Sequence, residues 1–386
     1  MNPTDAIILN IFIEQRYNLF FNNNFIMLSK NFLLLLQQRY NPPTIMQPNR
    51  VKVLLTGATG FLGSHLAINL LQQGYAVTAI KRAGSSLLEF DTICAMRGVK
   101  TDLLAHLQWK ECDILDTFAV TDAMKGIDYV FHTAAVVSFW TKKRDEMMQT
   151  NAQGTANVVN CALEAGVKKL CYASSIAALG REKDGDVVDE NTPWRDGKYN
   201  TMYAVSKYLA EMEVWRGVEE GLDAVIVNPG IIIGEGLWNK GSCRLIDTAY
   251  KGMAFYTKGQ NGYVDVLDVC RAMIQLVESP ITNRRYVMVS DNLTFKDFFT
   301  RVAGGFGKKG PTIAAGNILT QLARVYYGMK ALAGKEPLVT KETARNSQKK
   351  FTYISNSIKN DLGFVFTPFS TSVERICKAY TQSKKI

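Results

Sequence analysis

Several features that define common classes of protein are missing from this chain of 386 residues. Its seven cysteines form no C-x-x-C pair and its three histidines are widely spaced, so no metal site is predicted. No run of lysine and arginine exceeds a few residues, so we expect no nucleic-acid partner despite a formal net charge of +10. With 47% hydrophobic and 21% charged residues, the composition excludes disordered and fibrous proteins.

The cysteines and the hydrophobic runs indicate where the protein resides. Cys171 lies in the apolar run Lys-Leu-Cys-Tyr, where a reduced core thiol is expected. A reducing compartment predicts a cytoplasmic protein. The apolar segment 25–36 is interrupted by Lys30 and Asn31 and is shorter than the ~18–20 residues that a membrane span requires. We therefore expect no membrane span.

Residues 1–48 differ in composition from the rest of the chain. They are rich in asparagine and phenylalanine, carry few charges and end near Asn41-Pro42-Pro43. A signal peptide is disfavoured, because the start is acidic and no small-residue cleavage site follows the apolar stretch. The leading hypothesis is that Met46 is the natural start and that the preceding residues are upstream sequence. The alternative is an amphipathic arm that associates with a membrane.

A glycine-rich loop follows the first apolar, β-branched segment after this extension. Residues 51–56 predict a buried strand, 64–71 predict a helix, and Gly57, Gly60 and Gly63 lie between them. Glycines at this spacing permit a tight turn, close approach of a pyrophosphate and packing of the helix on the sheet. The helix N-terminus adds a positive dipole and free N–H groups. The unit predicts a dinucleotide site, against a purely structural turn.

The segment Thr56-Gly-Ala-Thr-Gly-Phe-Leu-Gly63 resembles the extended short-chain dehydrogenase/reductase family, which includes sugar-nucleotide epimerases, dehydratases, dihydroflavonol reductases and 3β-hydroxysteroid dehydrogenases. The resemblance covers about residue 50 to the C-terminus. We expect an α/β fold with a doubly wound parallel sheet of the Rossmann type over 49–235. A smaller, mainly helical substrate region is expected over 236–386, with later strands returning to the sheet. The resemblance also implies a homodimer.

Cofactor-binding residues are expected at the carboxyl ends of the strands. The resemblance implies that Asp113 and Ile114 read the adenine after the third strand, with a helix N-cap as the structural alternative for Asp113. Small residues after the fourth strand would let the cofactor lie against the backbone. The full predicted set is Gly57, Thr59, Gly60, Phe61, Leu62, Gly63, Arg82, Asp113, Ile114, Thr133, Ala134, Ala135, Tyr203, Lys207, Pro229 and Ile232.

The end of the second strand bears on the choice between NAD and NADP. An acidic residue there binds the ribose 2′-OH of NAD, whereas a basic residue accommodates the 2′-phosphate of NADP. This strand ends in Ala79-Ile80-Lys81-Arg82, without a carboxylate. The planar guanidinium of Arg82 suits a phosphate, so NADP is the preferred cofactor and NAD the alternative. An ordinary surface arginine is the competing interpretation.

The candidate catalytic residues are Ser175, Tyr203 and Lys207. Ser175 follows the predicted fifth strand, and Tyr203 and Lys207 lie four residues apart on one helical face. The three match the family's Ser, Tyr and Lys, with Ser174 as the less favoured serine. The same Tyr-x-x-x-Lys spacing recurs at Tyr326 and Tyr380, which we interpret as ordinary helix surface or core aromatics.

These residue types suit proton transfer coupled to hydride transfer. A free phenol has a pKa near ~10, so Tyr203 needs a nearby cation to act as an acid or base near neutral pH. Lys207 supplies that cation and would also hold the nicotinamide ribose. The Ser175 hydroxyl would hold the substrate oxygen while Tyr203 passes the proton.

Three functions fit this set of residues. The first is an NAD(P)-dependent oxidoreductase that moves a hydride between the nicotinamide and a small-molecule ketone or secondary alcohol. The second is an NAD-retaining nucleotide-sugar epimerase, which the lack of a carboxylate near Arg82 makes less favoured. The third is a non-catalytic dinucleotide sensor. Dehydration is disfavoured because Ile176 and Ala177, rather than acidic residues, follow Ser175.

Overall fold

The computed structural model describes residues 50–181, 185–197, 200–315 and 340–384, which fold around a parallel sheet of seven strands. Predictions for residues 1–48, including Met46, and for Tyr326 lie outside the described residues. The strands are β1 (Lys52–Thr56), β2 (Ala76–Lys81), β3 (Leu107–Glu111), β4 (Tyr129–His132), β5 (Lys169–Ala173), β6 (Val187–Val188), β7 (Ala224–Pro229), β8 (Ile231–Ile233), β9 (Phe255–Tyr256), β10 (Gln260–Asp265), β11 (Arg284–Met288), β12 (Asp291–Thr294), β13 (Ile313–Ala314) and β14 (Thr352–Tyr353).

The helices alternate with the strands over the first half of the described chain. Short 3₁₀ turns occupy Thr141–Lys143 and Ile176–Ala178, and a π-helical segment, Met148–Gln153, leads into α6. The α-helices are α1 (Phe61–Gln72), α2 (Leu88–Met96), α3 (Thr101–Leu104), α4 (Thr117–Met124), α5 (Arg144–Met147), α6 (Gly154–Ala165), α7 (Met202–Glu219), α8 (Cys243–Lys251), α9 (Val266–Glu278), α10 (Phe295–Gly305), α11 (Lys341–Asn346), α12 (Asn356–Leu362) and α13 (Phe369–Ser383).

The order of strands in the main sheet is β3-β2-β1-β4-β5-β7-β11, and every pair is parallel. The chain moves outward from β1 to β3 and then crosses to β4 on the other side of β1. This reversal creates a crevice beyond the carboxyl ends of β1 and β4, where doubly wound sheets bind ligands. The predicted fold class is confirmed, and β11 returns to the sheet as expected.

Both faces of the sheet are covered by apolar side chains of helices. Val53 and Leu55 of β1 point to the face covered by α1 and α9, whereas Leu54 points to the face covered by α4, α6 and α7. A strand that is buried on both faces requires a continuous apolar run, which explains the composition of residues 51–56. The two layers hold the strand ends rigidly.

The C-terminal region combines helices with a small second sheet. Strands β8, β10 and β12 form it, with β10 parallel to β8 and antiparallel to β12. Helices α8, α10 and α13 contribute to the adjoining apolar cluster. Tyr380 is fully buried there and its hydroxyl donates to Asp247 at 2.8 Å, which confirms its interpretation as a core aromatic.

The seven cysteines lie in the interior of the protein. All are buried without a disulfide partner, and Cys171 lies in β5 as its apolar neighbours predicted. Within the described ranges, no helix has both the length and the apolar character needed to cross a membrane.

Candidate functional site

The loop between β1 and α1 is shaped for close approach by a ligand. Gly57 has a φ of +74°, and a Cβ atom added there would lie 2.6 Å from the backbone nitrogen of Ala134. A Cβ at Gly63 would lie 2.1 Å from the carbonyl oxygen of Gly57. Neither position accepts a side chain unless the backbone moves. The glycines therefore serve the turn and the packing of α1, as the sequence predicted.

Gly60 lies at the N-cap of α1 and leaves the helix entrance open. No side chain caps this helix, and its first turn contains no acidic residue. The first-turn N–H groups and the helix dipole are thus available to an anion. Thr59, Phe61 and Leu62 are partly exposed around this entrance. These features fit the pyrophosphate of a dinucleotide.

The ends of β1 and β4 are joined by hydrogen bonds across the crevice. The Thr133 hydroxyl donates to the Thr56 carbonyl at 2.7 Å, and Ala134 N donates to Thr56 Oγ1 at 3.1 Å. Thr133, Ala134 and Ala135 are all partly exposed beside the glycine loop. The small residues expected to receive the cofactor therefore lie at the predicted crevice.

The adenine-side residues follow β3. Asp113 is partly exposed and accepts a hydrogen bond from Leu115 N at 3.0 Å. The N-cap of α4 is Asp116, whose side chain accepts from Ala119 N, so the structural alternative proposed for Asp113 was wrong by one turn. Ile114 is buried and packs on α6 at Gly154.

The remaining predicted cofactor residues lie beyond the middle of the sheet. Pro229 is buried at the end of β7. Ile232 is partly exposed in β8, where it packs against the core on the α1 side of the sheet. Both therefore lie near the carboxyl edge of the strands, although β8 belongs to the second sheet.

Arg82 lies in the open cavity beyond β2 and β3. This cavity has a volume of about 550 Å³. It is lined by Arg82, Ala83, Gly84, Ser85, Glu111, Cys112, Asp113, Asp116 and Ala119. Arg82 is exposed, and within the described part of the chain its guanidinium has no ion-pair partner. Among the carboxylates that line this cavity, Glu111 pairs with Lys81 at 3.9 Å.

Ser175 and Tyr203 meet at the carboxyl end of β5. Ser175 is partly exposed and accepts a hydrogen bond from Ala177 N at 3.1 Å, which holds its side chain in place. Burial raises the pKa of Tyr203, and the nearby Ser175 side chain acts in the opposite direction. Tyr203 enters at the first turn of α7, which Thr201 caps.

Lys207 lies one turn further along α7 and is only 1% exposed. Its ammonium donates to the Tyr172 hydroxyl at 2.6 Å and to the Ala173 carbonyl at 2.8 Å. Burial lowers the pKa of Lys207 to about 7, while the Glu211 carboxylate acts to raise it. The structure therefore places the Lys207 ammonium against the carboxyl end of β5, one helical turn after Tyr203 on α7.

Ser174, the alternative serine, belongs to a different hydrogen-bond network. Its hydroxyl donates to Glu211 Oε2 at 2.5 Å, and Glu211 is fully buried. Glu211 also accepts from Asn228 at 2.8 Å and pairs with Arg285 at 2.9 Å. Because Ser174 points into this network, Ser175 is the serine beside Tyr203.

Sequence reasoning did not identify Tyr172 and Glu211 as members of the site. Tyr172 was read only as part of a strand, although a hydroxyl in a strand buried on both faces needs a partner. Glu211 lies four residues after Lys207, on the same helical face, and a carboxylate there signals a buried ionic contact. Sequence reasoning also missed Phe139, which is 37% exposed. Its ring packs edge-on against Tyr203, with the ring centroids 5.9 Å apart.

Comparisons with known proteins show the family of this chain. A model of the NAD dependent epimerase/dehydratase family matches residues 53–288. Cinnamoyl-CoA reductase 1 of Petunia hybrida is 32% identical over 245 residues, which cover 61% of this chain and 71% of that protein. Dihydroflavonol 4-reductase of Arabidopsis thaliana is 30% identical over 264 residues, which cover 64% and 68%, respectively.

A solved structure extends the similarity to most of the chain. The crystal structure of gox2253 is 30% identical, with a TM-score of 0.70. The match covers 88% of this chain and 100% of that one. The likeness therefore includes the C-terminal region as well as the main sheet.

Proposed function

Since the chain belongs to the NAD dependent epimerase/dehydratase family and is therefore an NAD(P)-dependent oxidoreductase, we propose that it transfers a hydride between NADP(H) and a ketone or secondary alcohol. The observation that carries this proposal is the placement of Lys207, whose buried ammonium lies against the end of β5 just before Ser175, one helical turn after Tyr203 on α7. The relatives named as reductases support a reductase over an epimerase.

Each side chain has a separate task in the proposed reaction. Ser175 holds the substrate oxygen, and Tyr203 donates the proton in reduction or accepts it in oxidation. Lys207 places a positive charge one turn away, which favours the phenolate once the proton has left. The bound cofactor supplies or accepts the hydride at its nicotinamide ring.

The glycine loop, the open N-terminus of α1 and the exposed Arg82 support the proposed cofactor position. A phosphate at the cavity beyond β2 would meet Arg82 without displacing an existing ion pair of that residue. A guanidinium can bind a phosphate through two parallel hydrogen bonds. This is the basis for proposing NADP over NAD.

The proposal is tested by incubating purified full-length protein with NADPH or NADH and a panel of ketones and aldehydes. We expect absorbance at the reduced-nicotinamide band to fall with at least one carbonyl compound, and to fall faster with NADPH. Tightly retained NAD with no consumption of added NADPH would instead indicate an epimerase. Binding of NADPH without turnover on any carbonyl would indicate a sensor, and either result would overturn the proposal.

A further inference from the structure

We propose that Tyr172 is a positioning residue that holds the ammonium of Lys207 through its hydroxyl and the face of its ring. The inference rests on the proposed function, because Lys207 matters for turnover only if it serves Tyr203. Tyr172 is in β5 and is fully buried, whereas Lys207 approaches it from α7. The ammonium lies 2.6 Å from the hydroxyl oxygen and 4.3 Å from the ring centroid.

These contacts leave one direction open for the ammonium. A lysine ammonium has three N–H donors. Among the described residues, Tyr172 Oη and the Ala173 carbonyl accept two of them. The third N–H has no acceptor among the described residues. Tyr172 thus supplies one of the two protein acceptors that hold the Lys207 ammonium.

A buried chain of hydrogen bonds lies beside Tyr172. Thr155 Oγ1 lies 2.9 Å from His132 Nε2, and His132 Nδ1 lies 2.7 Å from Thr56 Oγ1. His132 also stacks on Tyr172, with ring centroids 5.3 Å apart. The sheet register explains this alignment, because Thr56, His132 and Tyr172 are direct neighbours on β1, β4 and β5.

The direction of each hydrogen bond follows from counting donors. Thr56 Oγ1 accepts from the backbone nitrogens of Thr133 and Ala134, so its hydrogen points to His132 Nδ1. His132 Nε2 then carries the ring hydrogen and donates to Thr155. The Thr155 hydroxyl donates to the Asn151 carbonyl at 2.5 Å. Tyr172 itself accepts from the Lys207 ammonium through its hydroxyl oxygen.

The groups that face Lys207 come from three elements. Glu211 acts on it from α7, Tyr172 lies against it from β5, and its charge acts on His132 of β4, while Arg285 on β11 pairs with Glu211. Burial and the lysine charge lower the pKa of His132 to about 3, so this ring is neutral in any ordinary assay. Glu211 is thus the anion that acts on Lys207, and the neutral Tyr172 hydroxyl accepts a hydrogen bond from the Lys207 ammonium.

The test compares Tyr172→Phe with the matched control Tyr263→Phe. Tyr172→Phe keeps the ring but removes the acceptor, so the pKa of Lys207 should fall by about one pH unit. Tyr263 is also fully buried, and its hydroxyl has no partner among the described residues. Tyr263→Phe should leave the pKa of Lys207 unchanged. The pKa is read by NMR of lysine labelled with ¹³C at Cε, with the Lys207 signal assigned from Lys207→Arg.

The pH profile of kcat/KM is measured on the same variants. Loss of the ammonium at lower pH should shift the alkaline limb of the Tyr172→Phe profile to lower pH by the same amount. An unchanged pKa of Lys207 in folded Tyr172→Phe would overturn the inference. A lowered pKa with an unmoved profile would keep the positioning role but contradict the proposed catalytic role of Lys207.

A second pair of variants covers the case in which Tyr172→Phe does not fold. Thr155→Val removes the hydroxyl that acts on the pKa of Tyr172 and bonds His132, whereas Thr155→Ser retains it. We expect Thr155→Val to lower the pKa of Lys207 by a smaller amount than Tyr172→Phe does. Thr155→Ser should keep the wild-type pKa of Lys207. Equal pKa values in the two Thr155 variants would count against the inference.

Discussion

The two ends of the candidate cofactor site use a positive charge in opposite surroundings. Arg82, on the adenine side, is exposed and has no ion-pair partner among the described residues. Lys207, on the nicotinamide side, is buried with two protein acceptors and a nearby carboxylate. Solvent and salt screen the first charge but hardly affect the second. An exposed charge such as Arg82 is suited to selecting between cofactors, whereas a buried charge such as Lys207 is suited to controlling proton transfer.

The largest expected effect is at the nicotinamide end. Tyr203→Phe should lower kcat by about 10³-fold, because it removes the group that transfers the proton. Binding of NADPH, measured by fluorescence titration, should change little. Tyr208→Phe on the same helix is the control, since its ring stacks on Trp194 and should keep that contact. Retained turnover in Tyr203→Phe would remove this residue from the mechanism.

The buried carboxylate beside Lys207 should affect both stability and pH dependence. Glu211→Gln breaks the ion pair with Arg285, so the free energy of unfolding should fall by about 3 kcal/mol. The pKa of Lys207 should also fall because Glu211 raises it, and the ammonium would be lost at lower pH. The alkaline limb of kcat/KM should therefore move to lower pH.

The matched control for this carboxylate is Glu213→Gln. Glu213 is on the same helix but is partly exposed and pairs with Arg216. Its replacement should change the free energy of unfolding by less than about 1 kcal/mol, as is usual for surface ion pairs. Urea titrations and pH profiles of both variants make the comparison. Equal pH profiles for the two variants would refute the role of Glu211.

Substitution in the glycine loop between β1 and α1 is expected to have a smaller effect. Gly57→Ala should lower the free energy of unfolding by about 1–2 kcal/mol, because of its positive φ, and should also weaken NADPH binding. Gly74→Ala shares the positive φ of +87°, but a Cβ there meets no heavy atom within 4 Å. Thermal melts should show a loss for both variants, whereas only Gly57→Ala should raise the Kd. An equal rise in the Kd for NADPH in Gly74→Ala would contradict a role of the glycine loop in cofactor binding.

The smallest expected effect is at the adenine end. Arg82→Gln should lower kcat/KM for NADPH by about tenfold and leave that for NADH unchanged, because one solvent-exposed phosphate contact is lost. The wild-type preference should also decrease with added salt. Lys168→Gln makes the same change in charge before β5, at the opposite edge of the sheet, and should leave both values unchanged. An unaltered preference in Arg82→Gln would exclude Arg82 as the selector.

Local patterns predicted the sheet because its strands are buried on both faces. The predicted strand over 51–56 is observed as Lys52–Thr56, and the predicted glycine loop opens α1. The predicted strand began one residue early and the predicted helix over 64–71 began three residues late, since element ends depend on pairing and capping. The π-helical segment Met148–Gln153 before α6 is a hydrogen-bonding detail that apolar spacing does not encode.

The amino-acid sequence by itself determined the βαβ unit, the doubly wound class and the positions of Ser175, Tyr203 and Lys207 in the chain. These depend on periodicity and on spacing within a few turns of helix or strand. Only the tertiary structure decided that Tyr172 and Ala173 accept the ammonium of Lys207. Those contacts arise where β5 meets α7, and hydrogen bonds between such distant segments exist only after the sheet and helices have packed.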